Sequence, residues 1–167
     1  GVEIRSVWEK GPHELDGNDI RDIKAVLADT GLAVSAISSP FYKCDIDNTD
    51  EIRENIRILR RCIDLAHELN TALVRGFTFW RKGGFEENLG KIVSRFHEPI
   101  RILEREAVTL ALEFDPSVYA TNAAKLVRVI EAVDSMRIRA LWDPGNDIYD
   151  PDGEVPYPDG YEIIKPY

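Results

Sequence analysis

Short apolar runs alternate along the chain with longer segments in which apolar residues recur every three or four positions. The runs at 2–5, 33–38, 72–77, 109–114 and 138–142 predict five β-strands. Most of these runs have no polar face, which is typical of parallel strands buried on both sides. The three- and four-residue spacing predicts amphipathic helices between them. The clearest stripes are Ile52, Ile56, Leu59, Ile63, Ala66; Leu89, Ile92, Phe96, Ile100, Leu103; and Leu126, Val129, Ile130, Val133.

Helix boundaries can be predicted from single residues. A first helix over 19–29 should end at Gly31, because glycine readily adopts the left-handed conformation that closes a helix. Asn48 and Asp50 are both suited to cap the start of the next helix. Pro99 should kink the following helical segment or begin a new helix there, because proline lacks the backbone N–H that a helix interior requires.

Repeated strand–helix–strand units joined by short turns predict parallel strands with right-handed crossovers, and hence an α/β fold. A doubly wound sheet usually has a glycine-rich phosphate loop after a strand. The nearest candidate, Arg81-Lys82-Gly83-Gly84, matches that motif poorly. Polar residues at several strand ends favour a parallel (β/α) TIM-type barrel instead. Eight units need on the order of 250 residues. We therefore expect a partial barrel of about five β/α units, forming a single domain over residues 1–167.

Composition narrows the class of protein. The chain has 167 residues, of which 44% are hydrophobic and 31% charged, which is typical of a globular protein and not of a membrane or disordered one. A net charge of −9 and scattered cations argue against nucleic-acid binding. Cys44 and Cys62 have no metal-ligand spacing and predict free thiols in a reducing, cytoplasmic compartment. The chain opens at Gly1 without an initiator Met, so we expect a segment of a longer protein.

Candidate chemistry lies at the carboxyl ends of the predicted strands. Glu113 and Asp143 each close an apolar run, where an unpaired carboxylate would be costly. Two carboxylates from neighbouring strands would suit a divalent ion such as Mg²⁺ or Mn²⁺. The alternative is that each acid pairs with an arginine or caps a helix.

Four segments resemble the xylose-isomerase-like sugar phosphate isomerase/epimerase superfamily. They are 1–5 (GVEIR), 110–113 (LALE), 141–146 (LWDPGN) and 161–167 (YEIIKPY), and the resemblance covers essentially the whole chain. It implies a divalent ion held by a glutamate, an aspartate, a histidine and a second glutamate. Glu113 and Asp143 match the first two ligands. The other two are expected beyond residue 167, so the chain resembles strands two to six of such a barrel.

The resemblance also implies roles for individual residues. Glu113 would take part in moving the proton next to a substrate carbonyl, which the ion polarises. Asn146 would bind a sugar hydroxyl, although it could instead close the Pro-Gly turn. Apart from the resemblance, Arg75 ends a predicted strand, where it would bind an oxyanion of the substrate, neutralise the carboxylates or form an internal salt bridge. As large aromatic residues near strand ends, Trp142 and Trp80 would line a sugar pocket or simply pack.

One departure from the family concerns the residues after Glu113. Relatives often read Glu-x-His there, whereas this chain reads Glu113-Phe114-Asp115, which leaves open a second carboxylate near the ion. The three histidines, His13, His67 and His97, lie in a polar loop or in predicted helices. They are therefore poor candidates for metal ligands.

The leading prediction is a metal-dependent isomerase or epimerase acting on a small sugar or polyol. An abasic-site endonuclease shares the fold and the use of metals, but the acidic charge and the few histidines count against it. A third hypothesis is a non-catalytic partial barrel whose open strand edges require a partner or a homo-oligomer. No nucleic acid and no membrane partner is expected.

Overall fold

The computed structural model describes residues 1–150 and 153–167. Five parallel strands form one sheet in the order β1-β2-β3-β4-β5. This unbroken order differs from a doubly wound sheet, in which the strand order reverses at a switch point, and it is the order of a (β/α) barrel. The predicted parallel α/β architecture is thus confirmed. The strands are β1 Val2–Ile4, β2 Val34–Ile37, β3 Leu73–Gly76, β4 Thr109–Glu113 and β5 Ile138–Leu141.

Helices connect the strands, and the first two begin at capping residues. Asp16 accepts hydrogen bonds from two backbone N–H groups of the first helix, and Gly31 closes that helix at φ 66°. Asn48, and not Asp50, caps the second helix. Pro99 lies in the first turn of a new helix, so a break occurs where proline predicted one. The helices are α1 Gly17–Thr30, α2 Thr49–Glu68, α3 Phe85–Arg95, α4 His97–Glu106, α5 Ala123–Val133, α6 Pro144–Asp147 and α7 Tyr161–Ile164.

The core lies between the sheet and the helices. All five members of the predicted α2 stripe are buried, as are the central residues of β4. Cys44 and Cys62 are free thiols within this core, and burial raises the pKa of each to about 12. They are therefore protonated, unreactive core residues at neutral pH.

The register between β4 and β5 sets the position of the candidate site. Leu110 pairs with Ile138 and Glu113 pairs with Leu141, so these two strands end side by side. The C-terminal segment contacts β5, because the backbone N–H of Ala140 donates a hydrogen bond to the carbonyl of Tyr167 at 3.2 Å. Across residues 1–150 and 153–167, no helix combines the length and the apolar character that crossing a bilayer requires.

Candidate metal and sugar site

Glu113 is the last residue of β4, as predicted, and is only 8% exposed. Its Oε2 accepts a hydrogen bond from Arg75 Nη1 at 3.0 Å, and its Oε1 accepts one from Asn146 Nδ2 at 3.2 Å. Burial raises the pKa of Glu113, and the nearby Asp143 charge raises it further, whereas Arg75 and Lys43 lower it. Glu113 therefore pairs with an arginine, which was the predicted alternative, but only through its Oε2 atom.

Asp143 follows β5 but is not its last residue. The strand ends at Leu141, and Asp143 instead caps α6, with its Oδ1 accepting from the backbone N–H of Gly145 at 2.9 Å. The strand stops early because Pro144 starts a helical turn and Asp143 takes the extended conformation of a cap. The remaining oxygen, Oδ2, faces the side chain of Asn146 at 3.3 Å.

Asn146 joins the two acids. Its amide nitrogen contacts Glu113 Oε1, Asp143 Oδ2 and the carbonyl of Phe114, the last at 2.9 Å. All three neighbours are acceptors, so the amide must present its nitrogen to them. One oxygen of each carboxylate therefore converges on a single point, where the partially positive NH₂ group lies. Two hard oxygen donors converging in this way fit a divalent cation. Among the described residues, no group of three or more acidic, histidine or cysteine side chains is arranged to hold a metal.

Arg75 lies on β3, the strand next to β4, and its side chain crosses toward Glu113. Its guanidinium stands 4.8 Å from the centre of the Phe77 ring. The hydroxyl of Ser39 donates to the Arg75 carbonyl at 2.6 Å and so ties the end of β3 to the loop after β2. Arg75 therefore lies beside Glu113, and its observed partner is that carboxylate. A role for Arg75 in binding substrate stays a prediction.

Trp142 occupies a different environment from the other candidates. Its ring lies 5.2 Å from that of Tyr161 in α7, and its Nε1 is buried without a hydrogen bond of good geometry in the described part of the chain. The observed ring contact is therefore a packing contact. A role for Trp142 in binding substrate stays a prediction.

The structure shows which groups Asp115 and His67 contact. Asp115 Oδ2 accepts a hydrogen bond from Lys43 Nζ at 2.7 Å, and its Oδ1 accepts from the backbone N–H of Ser117. Its carboxylate is thus bound by these groups. His67 approaches Glu106 at 3.8 Å on the surface between two helices, away from Glu113.

Two side chains near the site carry no signal in the sequence that would place them there. Lys43 is 72 residues from its partner Asp115, and no local pattern joins them. Asp147 belongs to a Pro-Gly-Asn-Asp turn, a sequence typical of exposed turns, yet it is 1% exposed. Burial, reinforced by the charge of Glu154, raises the pKa of Asp147 to about 6. Nothing in the Pro-Gly sequence before Asp147 indicates that this residue is buried.

Parallel strands in sequential order with acids at adjacent carboxyl ends define the class of (β/α)-barrel proteins with a site at the strand ends. A sequence profile of the family described as xylose isomerase-like TIM barrel matches residues 1–162. The chain belongs to this family, which confirms the resemblance. No curated protein sequence matches it significantly.

Several solved structures share the fold. A xylose isomerase-like TIM barrel protein from Mycobacterium smegmatis, in complex with magnesium, is 23% identical with a TM-score of 0.71, and the match covers 93% of this chain and 55% of that one. A D-tagatose 3-epimerase-like protein is 18% identical with a TM-score of 0.75, covering 98% and 61%. D-psicose 3-epimerase with D-tagatose from Clostridium cellulolyticum H10 is 13% identical with a TM-score of 0.69, covering 92% and 56%. The chain thus spans 55% to 61% of the length of these three proteins.

Proposed function

We propose that the chain supplies part of the active site of a divalent-metal-dependent sugar or polyol isomerase or epimerase. The observation that carries this proposal is the convergence of Glu113 Oε1 and Asp143 Oδ2 on the amide of Asn146. The sugar epimerases and the magnesium complex among the structural neighbours support the same class of chemistry.

In this proposal, Glu113 and Asp143 hold the ion, which could be Mg²⁺ or Mn²⁺ and would polarise the substrate carbonyl when bound. Glu113 takes the proton from the carbon next to that carbonyl and can return it, since burial brings its pKa closer to that of a useful general base. Arg75 neutralises the buried acid. Asn146, and Trp142 from the adjoining turn, bind hydroxyl groups and the apolar face of the sugar. The complete reaction belongs to the whole barrel, because two of the four expected ligands are absent from this set.

The proposal is tested by titrating Mn²⁺ or Mg²⁺ while the melting temperature is followed, since an ion that binds only the folded chain stabilises it. We expect a small upward shift that Glu113→Gln and Asp143→Asn each abolish. The matched control is Glu104→Gln, which removes one exposed carboxylate from α4 and should leave the shift intact. An unchanged shift in all three variants would refute the metal site.

Proton transfer is tested separately in deuterated water. NMR would follow the exchange of the hydrogen next to the carbonyl of a ketose incubated with the chain and Mg²⁺. We expect slow exchange or none from these 167 residues, because the ligand set is half complete. Full epimerase turnover by the chain alone would contradict this incomplete assignment.

A second candidate function is self-association through the open edge beside β1. Trp8, Val26 and Leu32 are 56%, 57% and 43% exposed there, next to Val2 and Ile4 of the edge strand. The outer edge of β1 has no neighbouring strand in the described part of the chain, and a strand edge flanked by apolar side chains favours contact with a second copy. Analytical ultracentrifugation should show a dimer that Val26→Glu dissociates. A monomer at every concentration would exclude this role.

A further inference from the structure

Lys43 occupies the same end of the sheet as Glu113, in the loop that follows β2. Its Nζ lies 2.7 Å from Asp115 Oδ2, 4.2 Å from the centre of the Phe77 ring and 5.5 Å from that of Trp80. The Lys43 side chain is 27% exposed and that of Asp115 is 16% exposed. The cation is therefore fixed on three sides and still reachable from solvent.

The backbone around Lys43 is strained and held in place. Tyr42 and Phe79, the residues just before Lys43 and Trp80, both have positive φ, at 64° and 67°. Such conformations cost about 1–3 kcal/mol each in a residue other than glycine and persist only where the surroundings enforce them. Here both side chains are fully buried, and their ring centres lie 3.9 Å apart with the ring planes tilted by 33°. The strain fixes the direction in which Lys43 and Trp80 leave the core.

Backbone hydrogen bonds lock the same loops together. The N–H of Phe79 donates to the Tyr42 carbonyl at 2.8 Å, and that of Trp80 donates to the Cys44 carbonyl at 2.9 Å. The N–H of Tyr119, after β4, donates to the Phe79 carbonyl at 3.1 Å. The loops after three strands thus form one rigid wall beside the candidate site, and a side chain on a rigid wall is well placed for recognition.

Lys43 is linked to the proposed catalytic group through Phe77. Arg75 and Lys43 both lie within 5 Å of the centre of the Phe77 ring, and Arg75 binds Glu113 directly. The Lys43 charge is also close enough to lower the pKa of Glu113. A substrate at Glu113 would therefore lie within the field of two cations.

The charges favour an anionic substrate. Glu113, Asp143 and Asp115 carry three negative charges, and Arg75 and Lys43 carry two positive ones. A divalent ion on the two acids would leave the site with net positive charge. Asp115 keeps its bonds from the Ser117 backbone and hydroxyl if Lys43 turns away. We propose that Lys43 is a specificity residue that binds a carboxylate or phosphate group of the substrate, so that the preferred substrate is a sugar acid or a sugar phosphate; this inference rests on the proposed function.

Calorimetric titration of the chain, with and without Mg²⁺, would compare three ligands: fructose, a fructose monophosphate and a ketogluconate. We expect one or both anionic sugars to bind more tightly than fructose, and the comparison of the two anions distinguishes phosphate from carboxylate recognition. Lys43→Met should weaken anion binding by about tenfold or more while fructose binding stays unchanged, because a hydrogen bond between charged groups is lost. Lys43→Arg should restore part of the preference.

Two further variants separate recognition from simple ion pairing. Asp115→Asn should preserve or tighten anion binding, because it removes the carboxylate that competes with the substrate anion for Lys43. Lys24→Met removes a lysine that pairs with Glu68 at the opposite end of the sheet and should change nothing. If Lys43→Met leaves anion binding unaltered, or if fructose and both anions bind equally, this inference is overturned and the proposed function stands. If no sugar binds the unmodified chain in either condition, this inference is overturned, whereas the proposed function is decided separately by the shift in melting temperature with Mn²⁺ or Mg²⁺.

Discussion

Replacing Arg75 with methionine tests the electrostatic balance of the candidate site most directly. The change keeps much of the aliphatic volume and leaves the carboxylate of Glu113, 8% exposed, without its only observed cationic hydrogen-bond partner in the described chain. Removing one partner of a buried pair typically costs about 3–5 kcal/mol. The Arg75 and Glu113 side chains are 15% and 10% exposed, so we expect a loss of about 2–4 kcal/mol at pH 8.

The loss should depend on pH in a defined direction. Burial raises the pKa of Glu113 above its value of 4.5 in an unfolded chain, and removing Arg75 raises it further. A raised carboxyl pKa contributes stability that is fully present below the unfolded value and is lost as pH rises through the folded value. Arg75→Met should therefore be much less destabilised at pH 4.5 than at pH 8. Urea unfolding at the two pH values measures the difference.

Two control variants separate the loss of the ion pair from a loss of packing. Glu113→Gln in the Arg75→Met background should recover most of the stability at pH 8, because no buried charge is then left unpaired. Arg53→Met removes a 65% exposed arginine from an ion pair on α2 and should cost under about 0.5 kcal/mol. Saturating Mn²⁺ should stabilise Arg75→Met more than the unmodified chain. Equal losses at both pH values, with no recovery in the double variant, would show that Arg75 acts only through packing.

Three other changes probe separate parts of the structure. Asp147→Asn should raise the free energy of unfolding by about 1–3 kcal/mol at pH 8 and leave it unchanged at pH 3.5, because the group, with its raised pKa of about 6, destabilises the fold only when it ionises. Asp29→Asn, on an exposed helix face, is the control, and an effect in urea titrations that does not depend on pH would contradict the assignment. Asn146→Asp should tighten Mn²⁺ binding measured by calorimetry and lower the melting temperature without the ion, because it places a third carboxylate beside those of Glu113 and Asp143. Weaker Mn²⁺ binding would contradict this role. Gly31→Ala should cost about 1 kcal/mol in thermal unfolding, since φ is 66° there, and Gly17→Ala, with no atom near its added methyl group, should not.

The strands and most helix boundaries could be predicted from the sequence because local physics determines them. Buried parallel strands must be continuously apolar, and each predicted strand matches the observed one to within one residue at either end. Asn48 and Gly31 act through contacts with residues only a few positions away. The class of fold followed from the same repeated pattern.

The detailed geometry of the site depends on contacts that no local pattern contains. Asn146 meets Glu113 only because Glu113 pairs with Leu141 in the sheet register, and a shift of that register would separate the two groups. The end of β5 at Leu141 could not be predicted, because the apolar Trp142 continues the strand pattern although the chain already turns toward its cap. Asp147 is buried because the segment that follows folds back over it, where Gly160 leaves room that a methyl group would fill.

The observed contacts also explain why an ion should bind these strands weakly. Both acids are already satisfied: Arg75 and Asn146 bind Glu113, and Gly145 and Asn146 bind Asp143. An ion must displace at least the amide of Asn146, and hydrogen bonds to charged groups are worth about 1.5–3 kcal/mol each. Two carboxylates gain from an ion, but they supply only part of the six or so oxygen ligands that Mg²⁺ requires. Additional donors brought to the same point would add binding energy without adding to the cost of displacing Asn146. Affinity should therefore rise steeply with each added ligand, and Asn146→Asp measures the first such step within this chain.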